Sequence, residues 1–308
     1  MKNKHWAYSS SKWKQTLWAM KRNKIAYFFL LPFLTVFIIF TVMPVLTSVW
    51  YSFTAFNVLE PAKFIGWQNY IKLFTSDTLF LTAVKNTILF STITGPVSYM
   101  LAFMLAWLIN ELSPLARAFL TLLFYAPSLS NIFIIWKLIF SGDAYGWLNS
   151  ILMRFGLANN PIQWLTDTNY MIPVIIIVVL WSSLGASFLT FIAGLQNVDR
   201  TLYEAGAVDG ITNRFQELWY ITLPYMKPQL MIGAVLTISG SFGIGPIIDG
   251  LCGLPSTDYV AWTIMNHLND YGGVRFEMGY ACAIATILFL IMLGSNKAVQ
   301  KLLSKVGN

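Results

Sequence analysis

The sequence predicts an all-α membrane protein that crosses the bilayer six times, and three observations carry that prediction. Of 308 residues, 56% are hydrophobic and only 11% are charged, where a soluble domain carries about 25% charged residues. Six apolar runs of roughly membrane length alternate with polar segments. The basic residues, finally, divide unequally between the two sets of alternate segments, as membrane insertion requires.

Residues 1–24 form a basic tail, with Trp6, Trp13 and Trp18 among Lys12, Lys14, Lys21, Arg22 and Lys24. This charged stretch is too long to open a signal peptide, and the run after it lacks a small-residue cleavage site. Two readings stay open: a partly helical segment with its indoles in the headgroup layer, or a disordered basic tail. Residues 25–308 then form a single six-span unit. The first span is 25–51, with bends expected at Pro32 and Pro44. A mixed aromatic-polar loop, 52–80, contains FIGWQNYIKLF at 64–74. The second span, 81–109, should kink near Gly95-Pro96, and a short turn, 110–117, leads to the third, 118–140. Within the loop 141–170, GWLNSILMRFGL at 146–157 reads as a short interfacial helix. The fourth span is 171–195 and the fifth 229–250, the latter broken towards its end by Gly240, Gly243 and Gly245-Pro246. A loop at 251–277 precedes the sixth span, 278–293, and a tail carrying Lys297, Lys301 and Lys305.

Orientation follows from charge. Fourteen Lys and Arg fall on the side holding both termini and residues 196–228, and six (Lys63, Lys72, Lys85, Lys137, Arg154 and Arg275) fall on the other. By the positive-inside rule both termini and the 196–228 segment are expected in the cytoplasm. The net charge of +7 therefore reflects topology, and no basic stripe interleaved with stacking aromatics suggests nucleic acid.

The 196–228 segment contains EAGAVDGITNRFQELWYITLP, from Glu204 to Pro224. Its helix formers lie on either side of Gly210, which permits positive φ and so a sharp turn between two short helices. Glu204 and Asp209 are expected to favour the N-terminal half by complementing a helix dipole. The order Glu204-Ala205-Gly206, Asp209-Gly210, ten residues, then Ile221-Thr222-Leu223-Pro224 resembles the EAA loop of binding-protein-dependent ABC importer permeases. Two positions depart from that pattern: Gly206, where alanine is usual, and Ile211, where a small residue commonly follows the glycine. FIGWQNY, GWLNSILMRFGL and FEMGYACAIATILF (276–289) extend the resemblance over most of the chain and are similar to the carbohydrate-importing branch. The resemblance implies a type I importer permease in a bacterial cell membrane, paired with a second homologous permease. It also implies two ATP-binding cassette subunits docking on the loop through Glu204, Ala205, Gly206, Asp209, Gly210, Leu223 and Pro224, and an extracellular solute-binding protein.

The residues support a neutral cargo and exclude some chemistry. No G-x-x-x-x-G-K-[ST] loop occurs, so ATP and magnesium are expected on separate ATPase subunits, with no cofactor on this chain. Cys252 and Cys282 form no disulfide framework, and His5 and His267 read as polar loop residues without companion metal ligands. The ionisable residues within the spans, Lys85, Lys137 and Asp249, lie near outer ends, which argues against a proton-coupled carrier or an intramembrane enzyme. Polar groups remaining in the spans are hydroxyls, amides and aromatics. Tyr125, Ser128, Ser130 and Asn131 lie on span three, Trp181, Ser182, Ser183 and Ser187 on span four, and Thr237, Ser239 and Ser241 on span five. Of these, Tyr125, Asn131, Trp181, Ser182 and Ser241 are the candidate sugar-pathway residues, the alternative role being hydrogen bonding between helices. An importer of a polyol or glycerol phosphate, and a secondary transporter or channel, are the competing functions.

Overall fold

The computed structural model describes residues 16, 19–129 and 133–304. The tryptophans of the basic tail lie outside the described residues, as do Ser130 and Asn131. Among the described residues, three helices are long and apolar enough to cross a membrane alone: Lys24–Tyr51, Thr78–Asn110 and Met278–Leu303. Three bent pairs supply the rest when each is taken as one span: Pro114–Ser128 with Phe133–Ile139, Thr168–Ser182 with Ala186–Gln196, and Lys227–Phe242 with Gly245–Cys252. In chain order these are spans one to six.

The helix starts are written in the sequence. Asp77 caps span two by accepting a bond from the Phe80 amide at 3.0 Å, and Asp167 caps span four through the Asn169 amide at 2.9 Å. Pro114 opens span three, where its missing N–H leaves no gap in the ladder. The breaks are only partly so written. Span five bends by 41° between Phe242 and Gly245, where glycines and Pro246 interrupt it as expected. Span four bends by 40°, an interruption the apolar pattern did not announce; Gly185, at φ −117° and ψ −130°, leaves helical space there. Span three, expected as one run, tightens into a 3-10 turn at Ala126–Leu129 because Pro127 cannot donate to the preceding turn. Span two, conversely, stays helical through Gly95-Pro96, and span one through Pro32, with a π turn at Ile38–Val42 just before Pro44. Span six continues to Leu303, so Lys297 and Lys301 extend a helix rather than begin a tail.

Spans two, four and five form the centre. Ala102, Ala106 and Ile109 of span two are buried in one cluster with Phe188, Phe191 and Leu195 of span four and Leu230 of span five. The first half of span one, Lys24–Phe37, buries no residue, while its second half packs on span six.

On the side opposite the 196–228 segment the loops are ordered. The first holds a short antiparallel ladder, Thr54 opposite Phe64 and Ala55 opposite Lys63, where irregular structure was expected, followed by the helix Gln68–Thr75. The second holds the helix Trp147–Arg154, fixed by fully buried Asn149. That side chain donates to the carbonyls of Ser141, Asp143 and Ile162 and accepts from the Trp164 indole. The third places His267, 1% exposed, in a buried network rather than in a solvated loop. Its Nε2 lies 2.9 Å from Asp77 Oδ2, which also accepts from the Tyr280 hydroxyl at 2.7 Å, while the Trp262 indole donates to Nδ1 at 3.1 Å.

Candidate functional site

Two places in the structure gather the residues that the sequence singled out. The first is the polar segment between spans four and five. Arg200–Val208 is helical and is capped by Asp199, whose side chain accepts from the Thr201 amide at 3.0 Å. Gly210, at φ +92°, turns the chain through the left-handed region that a side chain would strain. Asn213 then caps Arg214–Glu217, and a π turn at Leu218–Thr222 leads into Leu223–Tyr225. The helix-turn-helix is as expected, but the acidic residues are placed differently. Glu204 sits in the middle of the first helix and Asp209 at its C-cap, so the N-terminal dipole is met by Asp199 instead.

The segment is braced at its base and open at its face. The Tyr203 hydroxyl is 2.9 Å from Thr222 Oγ1, and Tyr225 donates to the Asn197 carbonyl at 3.1 Å. Leu223 packs against the inner core cluster, while Ala205, Asp209, Gly210 and Pro224 are exposed. Glu204 lines a cleft of about 650 Å³ with Trp107, Glu111, Arg117, Arg200 and Arg214. Across that cleft Arg214 reaches Glu111 at 3.0 Å while also binding Glu217 at 2.8 Å, and the rings of Phe215 and Trp107 lie 5.7 Å apart. Val208, Phe215, Trp219 and Tyr220 leave large apolar surfaces uncovered on the same segment.

Gly206 and Ile211, the two residues that depart from the familiar motif, meet each other. A Cβ built on Gly206 would lie 2.6 Å from the Ile221 Cδ1 and 3.2 Å from the Ile211 Cδ1. An alanine at 206 would thus contest space held first by Ile221 and then by the larger Ile211 side chain.

The second place is a cavity of about 270 Å³ between spans two, four and five. Its walls carry Thr94 and Ser98 from span two, Ser182, Ser183 and Ser187 from span four, and Thr237 and Ser241 from span five. Among the described residues no charged side chain lines it. It lies where spans four and five break, and Gly240, Gly243 and Ile244 contribute to its wall. Several hydroxyls have already committed their protons: Thr94 to the Phe90 carbonyl, Ser183 to Leu180, Thr237 to Gly233 and Ser241 to Ile238, at 2.7–2.8 Å. Their oxygens keep accepting lone pairs. Ser98, 2% exposed, has no hydrogen-bond partner among the described residues. The cavity can therefore accept hydrogen bonds from a polyhydroxylated guest, and it has nothing with which to neutralise a charge.

Of the expected pathway residues, the structure brings Ser182 and Ser241 to this cavity. Trp181 is directed elsewhere, half-exposed and edge-on to Trp136 at 6.1 Å. Tyr125 lines a separate cleft with Arg117, Leu189 and Gln196, and Asn131 lies outside the described residues. Ser239 faces span six, where Asn296 approaches it at 3.4 Å. Thr94 and Ser98 were missed, although with Ser91 they fall on one helical face at i, i+3 and i+7 beside Gly95-Pro96.

Residues 98–304, well over half of the chain, match the family described as "Binding-protein-dependent transport system inner membrane component". The chain belongs to this family. It is thus an inner-membrane permease component of ABC import, and membership accounts for the apolar spans on either side of the braced loop. Among its relatives, the "Probable ABC transporter permease protein YesP" of Bacillus subtilis is 31% identical over 88% of each chain. The "Arabinooligosaccharides transport system permease protein AraP" of the same organism is 30% identical, over 93% of this chain and 90% of the relative. The fold is also similar to a crystal structure of a bacterial ABC transporter involved in importing the acidic polysaccharide alginate. The TM-score there is 0.66 with 26% identity, over 93% of this chain and 99% of that one. A similar chain, again with TM-score 0.66, belongs to such a transporter in complex with a periplasmic protein that holds an alginate pentasaccharide.

Proposed function

We propose that the chain is one of two homologous permease subunits of an ATP-driven importer that carries neutral sugars or oligosaccharides by alternating access. The observation that carries this reading is the uncharged, hydroxyl-lined cavity at the breaks of spans four and five. An anionic sugar or a glycerol phosphate calls for basic partners, and none stands in that lining. Relatives named for arabinooligosaccharide transport agree with a neutral oligosaccharide.

In this reading the chain performs no covalent chemistry. ATP and magnesium belong to two ATPase subunits docked on the loop from Glu204 to Pro224, and a solute-binding protein delivers cargo to the opposite face. The exposed apolar residues of the loop fit a surface that a partner covers. Both termini and the loop face the cytoplasm, and a cysteine at Thr212 should be labelled only after permeabilisation while one at Asn159 is labelled from outside. Glu204 offers a carboxylate to a basic group of the ATPase, and Gly210 sets the angle between the two loop helices. Glu204→Ala should release the ATPase or uncouple it from uptake. Gly210→Val should do likewise after straining the turn by about 1–2 kcal/mol.

The deciding experiment is uptake into proteoliposomes holding the assembled importer. Neutral arabino-oligosaccharides should enter and uronate oligosaccharides should not. Ser98→Val with Ser241→Val should lower uptake about tenfold or more, as expected for lost hydrogen bonds to a polar guest. Uptake of the uronate alone, or unchanged uptake by the double variant, would overturn the neutral-sugar reading.

A further inference from the structure

We propose that Glu111, Arg214 and the Trp107–Phe215 ring pair form a strut that makes the loop end of span two move with the loop joining spans four and five. The proposal rests on the importer reading above. It adds a mechanical link for one of the three cavity-lining spans.

Spans four and five run into the loop through the peptide chain, so any displacement of the loop reaches them directly. Span two does not: it ends at Asn110, and the chain turns away into span three at Pro114. Between its end and the loop lies the 650 Å³ cleft, which side chains bridge. The Arg214 guanidinium is held by Glu217 at 2.8 Å on one nitrogen and aimed by that contact at Glu111, 3.0 Å from the other. The ring of Phe215 meets Trp107 at 5.7 Å. These two contacts sit one helical turn apart on span two, so together they resist rotation as well as translation.

The receiving end is built to transmit load. Glu111 is the residue at the C-cap of span two, and the turn behind it is fixed by Arg117, which donates to Asn110 Oδ1 at 3.1 Å. From there Ala106 and Ala102 are fully buried against span four, and the Tyr99 hydroxyl donates to the Leu230 carbonyl of span five at 3.3 Å. The next turn carries Ser98 and Thr94 into the cavity. Arg214 and Glu111 are 64% and 45% exposed, and such a pair contributes little to stability by itself. Its removal should therefore spare the fold and change the coupling, which separates a positioning role from a structural one.

The test uses the assembled importer in proteoliposomes with Cys252 and Cys282 replaced by serine. Glu111→Ala should lower sugar taken up per ATP hydrolysed by about threefold or more without changing the thermal stability of the complex. In that background, Trp107→Cys with Phe215→Cys, bridged by a short reversible bis-methanethiosulfonate, should restore the ratio, and reduction should abolish it again. An unchanged ratio in Glu111→Ala, or a bridge that blocks uptake when Glu111 is intact, overturns the strut. A spin label at Leu108 gives a readout independent of cargo. ATP should displace it in the parent protein and not in Glu111→Ala; equal displacement in both overturns the strut even if the sugar assignment fails separately.

Discussion

Span two passes through two polar clusters of opposite character, one at its Asp77 end and one halfway along it. At the end, Asp77 accepts bonds from the Phe80 amide, the Tyr280 hydroxyl and His267, and Trp262 completes the set. An indole N–H can only donate, so His267 Nδ1 accepts, and the proton on Nε2 goes to Asp77. Every polar atom there has its partner. Halfway along, hydroxyls bond to their own helices and keep accepting capacity, and Ser98 has no partner among the described residues. A saturated network fixes geometry, since a guest could enter only by breaking it. An unsaturated one can bind and release. The contrast suits the first cluster to holding three segments together and, in the proposed importer, the second to handling cargo.

The sharpest way to break that division is Asp77→Ala. It leaves three buried donors without an acceptor and should cost about 3–5 kcal/mol, read as denaturation of the purified protein in detergent. A loss under about 1 kcal/mol would show that the Asp77 cluster holds nothing together.

A smaller effect should come from acid. Burial pushes the His267 pKa down, outweighing the pull of Asp77 that raises it. Burial pushes the Asp77 carboxyl up, but bonds from Tyr280, the Phe80 amide and His267 bring it below its ordinary value. Both groups are thus depressed in the folded protein, so both contribute stability at neutral pH that disappears as pH falls. His267 acts first, below about pH 6.5, where a proton on Nδ1 would confront the Trp262 N–H. Between pH 7.5 and 5.5 the Tm should fall, and His267→Gln should flatten that dependence; an equally steep fall in the variant would place the acid sensitivity elsewhere.

Ser98→Ala should have the smallest effect on stability, under about 0.5 kcal/mol and of either sign, because no hydrogen bond is lost. Uptake should nevertheless fall. A stability loss rivalling that of Asp77→Ala would erase the distinction between the two clusters.

The legible parts of this molecule are those coded locally. Six apolar runs, and a helix-turn-helix set by Gly210 and the spacing around it, could be read directly, as could the break of span five at Gly243 and Gly245-Pro246. The break of span four at Gly185 was poorly legible, because Ser182, Ser183 and Gly185 only weaken the helix there and no proline interrupts the apolar run. Among the residues that line the cavity, Ser182 and Ser241 were recognisable as hydroxyls within apolar runs. The facing of Trp181 was not, since a span that is hydrophobic all round shows no periodicity to orient it. The partnership of His267 with Asp77 joins residues 190 apart in sequence, beyond the reach of any local pattern.

The contact between Gly206 and Ile211 has a consequence for how this loop could have changed over generations. Restoring the more usual alanine at 206 alone would press a methyl group into the ends of Ile211 and Ile221, and trimming Ile211 alone would open a void beside a bare glycine. Each single step is a local defect, and trimming Ile211 makes room for a methyl at 206 only if Ile221, the nearer neighbour, also gives way. The effect of a change at 206 therefore depends on what stands at both 211 and 221, and the three positions should vary as a set.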